Sequence, residues 1–478
     1  MPRCPTISRF PLTLISDYSI LDVNHQTPYL RRLDIFRRSL LVASLLFGCI
    51  GFSSPINAEQ SVSVPPAPRT IGIFDPVQTA GSIDAATATE IVSKKLSDSR
   101  LGGGVTAYVV DANSGEVLVD INGSQPMIPA STLKLYTGIA AMNVLGSETR
   151  FATRVMRDEN ILTLVGGGDP TLVSRTPSNW RGKPPGSEQP PSLEQLADLT
   201  AVALGASEET YILNFDDSLF AKPKAHSSWP DQYLRTGEVS AVQGLTMDFG
   251  INETEAVMSD PAKSAASFYV SELVARGLSV TLGDRVTSTG TTEIARVESA
   301  TVTDIVERMI TTSNNTMAEY LAHHLGGTSG QYTFAAGAQV TRQAIIDAGI
   351  DISGTEILDG SGLSRSNRTS AKSLVSALQY ANSNGGPAWA NLSGLPVAGI
   401  SGTLIDRYEV GEPGRGTVRA KTGTLSKVVA LSGTLVDANG ELLIYTFIAN
   451  SIPNGTKQGE AALDKVVKAL VQCGCRVA

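Results

Sequence analysis

Three short motifs stand in one order along the 478 residues: Ser131-Thr132-Leu133-Lys134, then Ser313-Asn314-Asn315, then Lys421-Thr422-Gly423. Their spacing constrains the fold more than any other feature. If the three meet in one cleft, the chain must reunite segments that lie 182 and then 108 positions apart. The first gap is far longer than one layer of covering helices needs, so it predicts an inserted domain. No motif decides the matter alone, because an S-x-x-K match arises on the order of once or twice by chance in a chain this long.

Local patterns fill in the design. Strand-like 105–110 and 116–120 flank Asn113-Ser114-Gly115, a hairpin signature. Pro129 and Ala130 introduce an apolar helix through about residue 144, with Ser131 in its first turn. At the other end, 419–436 and 441–449 are strand-forming and turn at Ala438-Asn439-Gly440, before an amphipathic helix over 459–471. Strands at both ends with helices between them predict an α+β fold: one antiparallel sheet flanked by helices. Within the insertion, strand-like 161–165 leads into Gly166-Gly167-Gly168-Asp169, read as a turn, and strand-like 211–215 leads into Asp216-Asp217. A helix over 261–277 and a strand over 279–282 follow, and the Pro, Gly and Ser-rich 175–192 reads as a mobile surface loop. The expected partition is a catalytic domain of 83–145 and 300–478, interrupted by one or more β-rich domains over 146–299.

Each motif has a chemical reading and a plainer one. Residues three apart share a helix face, so Ser131 Oγ and Lys134 Nζ can meet, with the lysine a base if burial near a second cation such as Lys421 disfavours its ammonium form. A surface Ser and Lys on an ordinary helix is the plainer reading. Ser313 can pass a proton to a leaving amine, and the Asn315 amide can hold Lys134 and a substrate carbonyl together, whereas a simple helix cap would explain the same residues. Lys421, Thr422, Gly423 and Thr424 open a strand along which a peptide can add, the first two gripping a carboxylate and Gly423 leaving room for close backbone approach. The N–H groups of Ser131 and Thr424 would form an oxyanion hole. A polar edge strand is the alternative there.

Other chemistries are poorly supplied. After residue 58 only His226, His323 and His324 remain, the last two adjacent and so on different helix faces, which leaves His226 alone for a Ser-His-Asp arrangement. No H-E-x-x-H, P-loop or Cys-rich zinc pattern appears, so no metal or other cofactor is expected.

The N-terminal region reads as a secretory signal. Arg37 and Arg38 precede an apolar run over 40–52, and Asn57-Ala58-Glu59 offers a cleavage point after Ala58. Residues 59–82, with Pro65, Pro66 and Pro68, read as a linker. The stretch before the run is long for a signal, so a start downstream of Met1 is one reading, and an uncleaved anchor, a twin-arginine signal and a lipoprotein signal at Cys49 are others. Loss of residues 1–58 removes six Arg and three Asp and shifts the formal charge from −8 to −11, which disfavours nucleic acid as a partner. Of the cysteines only Cys473 and Cys475 then remain, too few for a disulfide framework.

The motif contexts resemble one family. Pro129 to Lys134, Gly166 to Leu172, Asp359-Gly360-Ser361-Gly362-Leu363-Ser364-Arg365, Leu395-Pro396-Val397-Ala398-Gly399, Gly402-Thr403-Leu404 with Arg407, and Ala420 to Leu425 look like class C low-molecular-mass penicillin-binding proteins, from about Ile83 to Leu470. The resemblance implies a transpeptidase/β-lactamase-like domain and D-alanyl-D-alanine carboxypeptidase or endopeptidase activity on peptidoglycan stem peptides, inhibited by β-lactams, on the outer side of the membrane. It implies Ser131 as the acylated nucleophile, Lys134 as its base, Ser313 and Asn315 on the second wall, and Lys421 with Thr422 on the terminal carboxylate. Asn314 stands where Asp is also frequent, and its side chain should point away from substrate. The Gly-rich 359–365 stretch is expected to be a structural loop. A β-lactamase and a non-enzymatic wall-binding protein are the alternatives.

Overall fold

The computed structural model describes residues 84–177, 189–290, 292–383 and 386–473. The chain divides into two units, Met1–Arg69 and Thr70–Ala478. The signal and linker readings, and most of the 175–192 loop, lie outside the described residues.

The described chain opens with α1 (Ala85–Leu96), started by the Asp84 carboxylate, which accepts from the N–H of Ala86 and closed by Lys94 and Lys95 in its last turn. The hairpin β1 (Gly104–Asp111) and β2 (Val117–Ile121) forms where the sequence predicted, because the Asp111 carboxylate accepts from the N–H groups of Asn113 and Ser114 and so folds the turn. The helix expected over 129–144 is three pieces instead: a 3-10 turn at Ala130–Leu133, α2 (Lys134–Ala140) and a π turn at Ala141–Leu145. Apolar periodicity cannot distinguish these helical forms, and the tight first piece is the one that holds Ser131.

A second sheet follows, built from β3 (Ala152–Asp158), β4 (Ile161–Val165), β5 (Thr210–Asp216), β6 (Ser279–Arg285) and β7 (Thr292–Glu298) in the order β6-β5-β4-β3-β7. β4, β5 and β6 run parallel, and β3 is antiparallel to both β4 and β7. The segment is less purely β than expected: α3 (Leu193–Leu204) and α5 (Pro261–Ala275) pack Leu196, Ala265 and Tyr269 with Leu164 and Leu213 of the sheet in one core. Parallel neighbours require such crossovers. The short α4 (Gln232–Arg235) lies on the strap between β5 and α5. Gly166 and Gly167 are a close crossing and not merely a turn, since a Cβ on Gly167 would stand 2.0 Å from the Ala152 carbonyl oxygen.

Four helices then lead back: α6 (Val302–Thr312), α7 (Asn315–Gly327), α8 (Phe334–Asp347) and α9 (Ala371–Ala381), with a short α10 (Ala390–Ser393). The chain ends in β8 (Arg419–Leu425), β9 (Val428–Val436), β10 (Leu442–Asn450) and α11 (Thr456–Val471). These strands join the first hairpin as one antiparallel sheet, β2-β1-β10-β9-β8, so the two ends of the described chain close it as the sequence predicted. One face packs Ile444, Ile448 and Ala430 against α2, α6, α7 and α9. The other packs Leu431, Tyr445 and Phe447 against Val92 of α1 and Leu463 and Val467 of α11. Sequence neighbours in β9 and β10 thus go to opposite cores, and both strands are almost wholly buried. Cys473, just after α11, is disulfide-bonded. No described helix is long and apolar enough to cross a membrane.

Candidate active site

Ser131 sits in the 3-10 turn that precedes α2, and such a turn eclipses positions three apart. Ser131 Oγ and Lys134 Nζ are accordingly 2.9 Å apart. The turn is entered through Ala130, which is fully buried with φ +50, a conformation that a non-glycine residue adopts only when its surroundings hold it. Those surroundings are a seam in which Ala130 packs with Leu363, Leu425, Tyr320 and Trp229.

Lys134 is 0 % exposed, and its three partners are all uncharged: Ser131 Oγ, Asn315 Oδ1 at 2.7 Å and the Ser361 carbonyl at 2.7 Å. Burial of an ammonium without a paired anion costs several kcal/mol, so the group sheds its proton instead. Burial lowers its pKa from 10.5 to about 7, while the more distant Glu319 and Asp359 pull the other way. The neutral amine has two N–H bonds and one lone pair. Two carbonyl oxygens that can only accept occupy the N–H bonds, which leaves the lone pair for the hydroxyl of Ser131.

The second wall comes from the junction of α6 and α7. Ser313 ends α6 in the left-handed region (φ 57, ψ 30), and its Oγ accepts from Lys421 Nζ at 2.8 Å. Asn314 caps α7, its Oδ1 accepting from the N–H of Met317 at 2.8 Å. The helix-cap reading is therefore right for Asn314, whose side chain is turned into its own helix, and incomplete for its neighbours. Asn315 opens α7, accepts from Lys134 and donates through Nδ2 to the Glu238 carbonyl at 2.7 Å. That carbonyl belongs to the strap from the second sheet.

Lys421 lies on β8 and is also 0 % exposed. Burial, and then repulsion from Lys134, hold its pKa well below the ordinary lysine value. The Thr422 hydroxyl lies 2.8 Å from that of Thr403. β8 is the outermost strand of its sheet, and the N–H of Ala420 points away from β9 to the Pro396 carbonyl. By strand alternation the N–H groups of Thr422 and Thr424 point to that same edge. The Thr424 hydroxyl turns instead to Glu460 of α11, at 2.7 Å, so this residue offers the edge its backbone. Gly423 corrects an expectation: the close approach there is made by the protein itself, because a Cβ would stand 2.7 Å from the Pro129 carbonyl oxygen. The glycine lets β8 lie against the turn that carries Ser131.

The structure thus joins Lys134 to Ser131 and Asn315 by direct side-chain bonds and, on the second wall, Ser313 to Lys421, with Thr422 to Thr424 on the adjoining edge. His226 is not part of this set; its Nδ1 meets Ser228 Oγ at 2.8 Å, and that hydroxyl donates to Ser364. Among the described residues no group of His, Cys, Asp and Glu is placed to hold a metal ion.

Sequence reasoning missed three contributors. The 359–365 stretch is more than a structural loop, since its Ser361 carbonyl contacts Lys134. Glu238 also enters through a carbonyl, and no side-chain pattern can reveal a main-chain acceptor. Glu319, fully buried on α7, receives the N–H groups of Gly360 at 3.1 Å and Ser361 at 2.8 Å. Its signal was present, as an acid four residues after Asn315 within a helix otherwise dominated by apolar and small residues.

Comparison with known proteins gives a consistent result. The family model described as D-Ala-D-Ala carboxypeptidase 3 (S13) matches residues 88–266 and 252–472. The chain is 29% identical over 461 residues to a carboxypeptidase DacB of Mycolicibacterium smegmatis, covering 91% of this chain and 95% of that one. It is 29% identical over 487 residues to a D-alanyl-D-alanine carboxypeptidase of Actinomadura sp., covering 85% and 88%. The crystal structure of penicillin binding protein 4 from Haemophilus influenzae shares the fold, with a TM-score of 0.67 at 20% identity, over 79% of this chain and 99% of that one. With a matched region that spans most of its length, the chain belongs to the D-Ala-D-Ala carboxypeptidase 3 (S13) family.

Proposed function

We propose that the chain cleaves the terminal D-Ala-D-Ala amide of peptidoglycan stem peptides through an acyl-enzyme on Ser131. The observation that carries this reading is the buried Lys134 amine, held by two carbonyl acceptors with its remaining position on Ser131 Oγ. Lys134 takes the hydroxyl proton as Oγ attacks the carbonyl carbon. The backbone N–H groups of Ser131 and Thr424 stabilise the oxyanion. Ser313, beside Lys421, relays a proton to the departing D-alanine nitrogen, and water then hydrolyses the ester with Lys134 again as base. Asn315 holds Lys134 and orients the acyl-side carbonyl. Lys421 and Thr422, on an edge backed by Gly423, bind the terminal carboxylate, whose arrival favours the charged form of Lys421.

The same site fits endopeptidase cleavage of peptide cross-links, because only the leaving amine differs. A β-lactam would acylate Ser131 and persist, and the names of relatives support that sensitivity. Residues 146–299 are read as an inserted domain between 83–145 and 300–478. Export to the peptidoglycan side of the membrane, guided by a signal ending at Ala58, completes the proposal and agrees with the substrate.

Incubation with a fluorescent penicillin and, separately, with a D-Ala-D-Ala pentapeptide tests this reading. A lasting label that Ser131→Ala abolishes, together with D-alanine release, is the expected result. Rapid turnover of the drug without peptide cleavage would favour a β-lactamase, and neither label nor cleavage would favour a wall-binding protein.

A further inference from the structure

The Gly360–Ser361 backbone runs between two helices and is tied to both. Toward α2, the Gly360 carbonyl accepts from Thr137 Oγ1 at 2.6 Å and the Ser361 carbonyl accepts from Lys134 Nζ at 2.7 Å. Toward α7, the N–H of Gly360 donates to Glu319 Oε2 and that of Ser361 to Glu319 Oε1. No side chain fits at position 360, where a Cβ would stand 2.4 Å from the Ala318 carbonyl oxygen. The two residues are thus a backbone bridge whose position is set from the α7 side by one carboxylate.

That carboxylate is costly. Glu319 is 0 % exposed and forms no ion pair among the described residues; burial and the nearby Asp359 raise its pKa, while the hydrogen bonds from Gly360 and Ser361 favour its charged form. Asp359, by contrast, receives the N–H groups of Gly362 and Ser364, the Asn367 amide and the Trp229 indole, and secures the other end of the same loop. An apolar side chain at 319 would avoid the desolvation of an acid. It would also leave two buried N–H groups without acceptors and free the bridge to shift.

We propose that Glu319 is a positioning residue for the acylation step: it holds the Gly360–Ser361 backbone so that the Ser361 carbonyl occupies one N–H of Lys134 and the lone pair of the amine stays on Ser131. The inference rests on the reading of Ser131 and Lys134 as nucleophile and base. Asn315 and Glu319, four residues apart on α7, then act on the same amine, the first by touching it and the second through the loop. Glutamine cannot replace Glu319 in this role, because its NH2 would face one of the two N–H donors.

The test is acylation of the full chain by a chromogenic or fluorescent penicillin, with the limiting rate constant and the half-saturating concentration measured separately. Rate constants report folded molecules only, so partial unfolding does not imitate the effect. For Glu319→Gln the limiting rate falls about 10²-fold, the loss typical of an approximately 1 Å misplacement, while half-saturation stays within about threefold. Glu319→Asp, which keeps two carboxylate oxygens, recovers at least about tenfold of that loss. It also carries the test should the glutamine variant not accumulate. A limiting rate unchanged in both variants, or an equal loss in the two, overturns the proposal. Failure of the unsubstituted chain to be acylated at all would instead overturn the reading of the site.

Discussion

The two sheets of this molecule solve different problems. The first is wholly antiparallel and covered by helices on both faces, and its outer strand β8 carries Lys421 to Thr424. The second is mixed, and its core holds α3 and α5, while Ile161 and Ile212, paired across β4 and β5, remain 38% and 41% exposed. Both are well-packed scaffolds, yet the bonded side chains of the site come from the first sheet and the helices against it. Among the described residues the second region meets the site through its strap, by the Glu238 carbonyl on Asn315, the Trp229 indole on Asp359 and the Ser228 hydroxyl on Ser364. Helices and strands with buried supports place the reacting groups, and the strap of the second region contributes to those supports.

The comparison breaks most readily at the first region. Lys134→Ala should lower the acylation rate constant by about 10³-fold, the ordinary worth of a positioned general base, and stopped-flow labelling with a penicillin measures it. Retention of rapid acylation would remove Lys134 from the mechanism. Next in size is the response to acidity. Lys134 acts as a base only when neutral, and its pKa is lowered to about 7, so the rate constant should fall about tenfold per unit as pH drops below 7 and level off above it. A flat profile between pH 5 and 7 would contradict a neutral-amine base.

Smaller effects sharpen the division. Trp229→Phe keeps an aromatic side chain but removes the indole N–H and its bond to Asp359, a loss of roughly 1–3 kcal/mol for a hydrogen bond to a buried carboxylate. Thermal unfolding should register it, with a change in acylation rate constant of less than about tenfold. Leu213→Ala truncates a fully buried side chain in the second sheet and should cost about 2–5 kcal/mol in denaturant unfolding. Its acylation rate constant should not change. A parallel fall in rate would mean that the second sheet governs the site beyond its strap.

Much of this was legible beforehand, for identifiable reasons. The β1–β2 turn follows from Asn113-Ser114-Gly115 and the strand-forming runs on either side, all within a few residues. The Asn314 cap and the breaks on either side of the second motif are equally local. The form of the helix after Pro129 was not legible, because the 3-10 turn and the positive φ of Ala130 are imposed by Leu363, Leu425 and Trp229, which pack there from distant parts of the chain. The role of Gly423 was misjudged for a related reason. A glycine announces a close approach without saying by what, and here the answer is Pro129.

By itself, then, the amino-acid sequence determined the α+β layering, the pairing of Ser131 with Lys134 and the order of the three motifs, since hydrophobic period, capping and three-residue proximity act within a turn or two of chain. Tertiary structure alone decided which way the Lys134 amine points. Its orientation depends on Asn315 and on a main-chain oxygen of residue 361, 227 positions away, held by Glu319. Every residue carries such an oxygen, so only the assembled backbone selects the one that matters.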